Sequence, residues 1–172
     1  MIILDTKGQA HGERHGFSEQ QEPPLFGATA IVSAAALKER IAPTDTDSLA
    51  HTGVSLTVDD DLSDMAGYFP HLAMVELVFS QFKDGRPFST AVVLRRDFEF
   101  KGAILAAGDF LPDQALFLLR AGFTAFVVPE QFTAKQFKSA LLAYSVAYQP
   151  SLGGTQDLVK TFRDPPTAVA AG

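Results

Sequence analysis

The stretch FKDGRPFSTAVVLRR, residues 82–96, gathers Asp84, Gly85, Arg86 and Ser89 into one short turn directly after an apolar run. A guanidinium fork, backbone N–H groups of a turn and a hydroxyl together suit an oxyanion: a carboxylate, a sulfite-like ion or a phosphate. AAGDFLPDQ, residues 106–114, offers Asp109, Asp113 and Gln114 after a second apolar run. If the two runs are neighbouring strands, Asp84, Arg86 and Asp109 share one sheet edge, with a carboxylate as acid/base and Arg86 as anion clamp. Local turn chemistry competes with that reading. Asp84 then serves as an N-cap or turn residue, Gly85 supplies a positive φ, and Arg86 pairs with Asp109 or Asp113.

Other polar groupings carry less. HGERH offers His11, Glu13 and His15 as metal ligands, but a glycine-flanked polar loop explains the same residues. Asp59, Asp60 and Asp61 are consecutive, so regular backbone does not aim them at one cation, and a solvated helix start is the better account. His51 and His71 are isolated and read as structural or surface residues. AAGD contains a single glycine, and neither a dinucleotide fingerprint nor a phosphate-loop lysine motif occurs anywhere in the chain. The candidates for binding a ligand or partner are therefore Asp84, Gly85, Arg86, Ser89, Asp109, Asp113 and Gln114, with no metal site and no cofactor evident.

These residues must be positioned by a body of ordinary globular composition. At 172 residues, 47% hydrophobic and 20% charged, the chain suits one domain with a real core. A net charge of -6 argues against a nonspecific nucleic-acid binder, which needs a basic face to release phosphate counterions. Without cysteine there is no disulfide, no thiolate nucleophile and no thiolate ligand for zinc or an iron–sulfur cluster. MIILDTKGQ lacks the basic and long apolar regions of a signal peptide, and no apolar run is long enough for a bilayer, so a cytoplasmic protein is expected. The 15 phenylalanines are most simply core.

Along the chain, MIIL reads as a short strand, and GQAHGERHGFSEQQEPPLFG as turn and loop. ATAIVSAAALKER reads as a strand running into a helix, and APTDTDSLAHTG as a connecting loop. VSLTV predicts a strand, DDDLSDMAGYF a helix start, and HLAMVELVFS a buried strand. The DGR stretch begins the next helix, with Ala91, Val92 and Arg95 as helix neighbours, and GAILAAG is another strand. In DFLPDQALFLLRAGF, Pro112 fits the first helical turn, Asp113 the positive end and Gly122 the left-handed position after the last turn. TAFVV is the next strand. FTAKQFKSALLAYSVAY then carries a capping box at Thr133 and Gln136, a hydrophobic staple of Phe132 with Phe137, and an apolar stripe through Ala140, Leu141, Tyr144 and Tyr148. About four βα units with short connections predict a single α/β domain over residues 1–150 with a mainly parallel sheet, as an open sheet or a partial barrel. Residues 151–172 read as a C-terminal arm.

Three motifs, FKDGRPFSTAVVLRR, KGAILAAGDFLPDQ and RAGFTAFVV, in this order and spacing, resemble a bacterial family associated with assimilatory sulfite reduction. The likeness is strongest over residues 53–128, and departs from the family pattern at Pro87, where a glycine is usual, and at Leu105 and Pro112, where arginines are usual. Members are labelled oxidoreductases of sulfite reduction, and their genes lie beside those for sulfite reductase and phosphoadenylyl-sulfate reductase. The resemblance implies a part in sulfur assimilation and cysteine biosynthesis but supplies no catalytic set. With no flavin, siroheme or iron–sulfur motif visible, the expected role is an accessory or adaptor acting with sulfite reductase or another sulfate-assimilation enzyme. A small-anion enzyme or sensor built on Asp84, Arg86 and Asp109 is the second reading, and a homo-oligomeric scaffold the third. No nucleic-acid or membrane partner is expected.

Overall fold

A computed structural model describes residues 2–5, 8–13, 30–142, 146–147 and 156–157. Its centre is a seven-stranded sheet built from β1 (Ile2–Asp5), β2 (Ala10–Glu13), β3 (Ala30–Ser33), β4 (Thr52–Leu56), β5 (Met74–Phe79), β6 (Ala103–Gly108) and β7 (Ala125–Val127), in the order β2-β1-β7-β6-β5-β4-β3. The run β3 to β7 is parallel throughout, and β1 pairs antiparallel with both β7 and β2. The linear order makes an open sheet and settles the choice against a partial barrel. Residues 146–147 and 156–157 pair separately as a two-stranded parallel ladder.

Among the described residues five helices lie between or after the strands: α1 (Ala34–Arg40), α2 (Thr46–Ala50), α3 (Arg86–Arg96), α4 (Ala115–Ala121) and α5 (Ala134–Leu142). Because each parallel strand is added next to the one before it, same-handed crossovers send every helix to the same side. The burial agrees: Leu37, Leu49, Ala91, Leu94, Leu118 and Phe137 from the five helices join Val54, Val75, Leu77, Phe79, Ile104 and Phe126 in one core cluster. The alternate strand positions Ile3, Met74, Leu105, Ala107, Ala125 and Val127 form a second cluster, which contains no helical residue among those described.

Local chemistry explains most element ends. The Ser33 Oγ accepts from the Ala36 N–H and starts α1. Thr133 and Gln136 make the expected capping box, with the Gln136 Oε1 accepting from the Thr133 N–H at 2.7 Å, and the Phe132 and Phe137 rings meet edge to face at 6.2 Å. Pro112 opens a 3-10 turn (Pro112–Gln114) that leads into α4, and Gly122 ends α4 at φ 102. An added Cβ there would meet the Arg95 Cγ at 2.8 Å.

Three segments differ from expectation. Part of the N-terminal loop is strand β2, closed onto β1 by a turn in which the Asp5 carboxylate accepts from the Gln9 N–H at 2.8 Å. AHGE lacks apolar alternation, so an edge strand there leaves no sequence signal. APTDTDSLAHTG contains the short helix α2, because Asp45 caps the Ser48 N–H and Leu49 is fully buried. DDDLSDMAGYF forms only a 3-10 turn at Ser63–Met65. Its carboxylates are spent locally: Asp60 accepts from the Thr57 N–H and hydroxyl, and Asp61 from the Ser63 N–H. His15, Tyr144, Tyr148 and the expected arm over residues 151–172, apart from Gln156 and Asp157, lie outside the described residues.

Candidate functional site

The carboxyl ends of β4, β5, β6 and β7 open into four loops on one edge of the sheet, spanning residues 57–62, 80–85, 109–114 and 128–133. Beneath them the Phe79 ring packs against Phe88 at 5.2 Å, Phe110 at 5.5 Å and Phe123 at 6.1 Å. Phe110 continues to Phe137 at 5.7 Å. This aromatic floor anchors α3, α5 and the loop after β6 to the strand ends.

The loop after β5 holds Asp84, Gly85 and Arg86. The Arg86 side chain folds back onto the residue two before it: its Nε donates to Asp84 Oδ1 at 2.9 Å and its Nη2 to Oδ2 at 2.7 Å. The Arg86 N–H donates to Oδ1 at 3.0 Å, so one carboxylate turns the chain and pairs the side chain. The side-chain and backbone hydrogen bonds from Arg86 hold the Asp84 carboxyl below the usual aspartate range. The same pairing raises the Arg86 guanidinium, with a smaller attraction from Asp59 in the loop after β4. Arg86 therefore pairs with Asp84, rather than with Asp109 or Asp113: with a single residue between them, the local turn holds the two in bidentate reach. Gly85 does not supply a positive φ. It sits at -82°, and an added Cβ would meet nothing within 4 Å.

Asp109 belongs to a different contact. Gly108 turns the end of β6 at φ 96, where an added Cβ would stand 2.2 Å from the Phe79 carbonyl oxygen. That close approach lets the Asp109 N–H donate to the same oxygen at 2.8 Å, and its carboxylate accepts from Gln131 Nε2 in the loop after β7 at 3.1 Å. Gln114 joins the loops after β5 and β6: its Oε1 accepts from the Leu111 N–H at 2.9 Å and its Nε2 donates to the Phe82 carbonyl at 3.3 Å. Asp113 is exposed on the 3-10 turn, and Ser89 is exposed one turn into α3. All seven candidates thus lie on this edge or one turn from it, with Asp84–Arg86 and Asp109–Gln131 as separate pairs.

Two aromatic residues were expected in the core and are not. Phe82 is 42% exposed and Phe117 59% exposed. Gln114 binds the Phe82 backbone carbonyl and stands three residues before Phe117 in the chain, which links the segments that carry the two residues. The signal for Phe117 was present, since Ala115, Leu118 and Ala121 define the buried stripe of α4 and Phe117 is off it. Nothing in FKDGRPF marks Phe82 as exposed. Glu76 is a third residue overlooked: it is fully buried in the middle of β5, in register with Ser55 and Leu105. A lone carboxylate inside MVELVF was its signal.

Among the described residues no group of three or more His, Asp or Glu is arranged to hold a metal ion. His11 and Glu13 lie in β2. No helix among the described residues is long and apolar enough to cross a membrane.

A family profile described as "Bacterial protein of unknown function (DUF934)" matches residues 53–159, which spans β4 through α5 and all four edge loops. Neither a curated protein nor a solved structure matches the chain.

Proposed function

Since the chain belongs to the bacterial family of unknown function DUF934, we propose that it is an accessory protein of assimilatory sulfite reduction, docking through the carboxyl edge of its sheet onto sulfite reductase or another enzyme of sulfate assimilation. The sulfite assignment is supported by the three ordered motifs around Asp84, Asp109 and Gly122. Docking is supported by one observation: Arg86 and Asp109 are already engaged, with Asp84 and Gln131, while Phe82 and Phe117 are exposed on the same side of the fold.

Topology favours the same reading. Open α/β sheets bind small molecules where the strand order reverses and neighbouring loops diverge into a crevice. The parallel strands here run in sequence order without such a reversal. A small-anion site would also require Arg86 to exchange Asp84 for the ligand, losing the bidentate pair. Exposed aromatic side chains beside polar turns are instead the composition of protein interfaces, whose energy concentrates in a few buried rings.

The test is affinity capture from the native host grown on sulfate, using wild type, Phe82→Ser/Phe117→Ser and Arg86→Ala. Recovery of sulfite reductase with wild type, and its loss with the double variant, is the expected result. Equal recovery with all three would remove the edge from the interface, and recovery of no sulfate-assimilation enzyme would remove the sulfite role.

A further inference from the structure

The charge of the molecule is unevenly placed. The four edge loops and the first residue of α3 hold seven carboxylates, three of them from Asp59 to Asp61, against two cations, Lys83 and Arg86. The whole chain carries -6, so this one edge accounts for most of the excess. Arg86 is already neutralised by Asp84. The exposed carboxylates of Asp59, Asp61, Asp113 and Glu130 therefore face solvent with Lys83 as the remaining cation of these loops. At the opposite edge the last turns of the helices carry Lys38 and Arg40, Arg95 and Arg96, and Arg120. That placement suits the helix dipoles, and since Lys38 is paired with Asp64 and Arg96 with Asp97, the unbalanced charge is the negative excess at the loop edge.

The aromatic anchors lie within the acidic end. The Lys83 ammonium stands over the Phe82 ring, 5.5 Å from its centre, so the ring face already receives a cation. A partner surface that offers lysine or arginine beside apolar side chains would satisfy both features at once, with cations meeting the carboxylates and apolar groups covering Phe82 and Phe117. An acidic partner would meet like charge across the same loops.

We infer that this edge takes a cationic, apolar-studded face of a partner protein, with Phe82 and Phe117 as anchors and the loop carboxylates as the steering rim. The inference rests on the docking reading above and gives the chemistry of its partner. Charge sets the encounter and the excluded pairings, while the two rings set the lifetime of the complex.

The experiment uses the full chain and three synthetic peptides of equal length: alternating Lys and Leu, alternating Glu and Leu, and Lys with Ser in place of Leu. Fluorescence anisotropy should show binding of the Lys/Leu peptide alone, weakened about tenfold or more by Phe82→Ser/Phe117→Ser. Asp113→Asn/Glu130→Gln should weaken it several-fold, and raising salt should do the same. Asp47→Asn/Glu99→Gln, which removes as much charge far from these loops, should leave it unchanged. Circular dichroism would confirm that each variant is folded. Equal affinity for the Lys/Leu and Glu/Leu peptides would overturn the inference, as would equal affinity for the Lys/Ser peptide. So would a distal charge variant that weakens binding as much as the loop variant, or self-association of the wild type that the Phe variant abolishes, since the occupant would then be a second copy. Retained peptide selectivity with no capture of sulfite reductase would sink the sulfite assignment alone.

Discussion

Helix α3 carries an arginine near each end, and the two are held in different ways. Arg86, at the carboxyl edge of the sheet, is mostly exposed and bound by a carboxylate two residues away. Arg95, at the opposite edge, is half-buried and bound by backbone carbonyls: its Nε and Nη2 donate to the Gly122 carbonyl at 3.0 and 2.9 Å, and its Nη1 donates to the Phe100 and Gly102 carbonyls at 2.7 and 2.8 Å. Its guanidinium also lies 5.6 Å from the centre of the Phe100 ring. Burial pulls the Arg95 guanidinium below its ordinary range without discharging it. The pair teaches where this fold keeps its stability and where it leaves freedom. Arg95 ties the end of α4 to the chain entering β6, contacts far apart in sequence, whereas Arg86 ties only its own turn.

The largest effect that bears on this contrast is expected at Gly108, because its backbone turns the end of β6 directly against the Phe79 carbonyl. Gly108→Ala forces a Cβ into the Phe79 carbonyl at a positive φ, and should lower stability in denaturant melts by about 3–4 kcal/mol. A loss below about 1 kcal/mol would mean that the turn relaxes without strain. Next comes Arg95→Ala, which leaves three carbonyls without their donor and should cost about 2–3 kcal/mol in the same melts. Arg95→Lys keeps the charge but cannot fork across those carbonyls, so it should recover less than half of that loss. Full recovery would show that charge, not geometry, is what this position needs.

The smallest effect is expected at Arg86. Arg86→Ala should leave the denaturation midpoint where surface substitutions leave it, because an exposed local pair contributes little. Its signature lies in titration. The Asp84 carboxyl is depressed in the folded protein, so its contribution is present above the ordinary aspartate range and fades as pH falls through the folded value. In Arg86→Ala the carboxyl resonance of Asp84 should titrate at higher pH than in wild type, and that part of the acid dependence should vanish. An unchanged titration would show that the N–H of the turn, rather than the guanidinium, holds the carboxylate down. A fall in stability as large as that of Arg95→Ala would erase the contrast between the two ends.

Much of the fold was legible in residue patterns because those patterns act locally. Alternating and continuous apolar runs marked β3 to β7, Thr133 and Gln136 marked the start of α5, and Gly122 marked the end of α4. Strand β2 and helix α2 were missed because each is held by a tertiary partner, β1 in one case and the burial of Leu49 in the other. The edge itself was anticipated from chain order, since loops that follow parallel strands gather at their carboxyl ends.

What the sequence determined by itself was therefore the alternation of elements, the acidic balance, the absence of thiol chemistry and the seven polar residues that gather near one edge. Only the tertiary structure decided the strand order, and with it the placement of every described helix on one face and the open ends of the sheet. It also decided that Arg86 answers to Asp84, that Asp109 answers to Gln131, and that two phenylalanines remain outside the core. The physical reason is range. Propensity and capping are settled within a few residues, whereas exposure and pairing depend on which distant segments meet at the same surface.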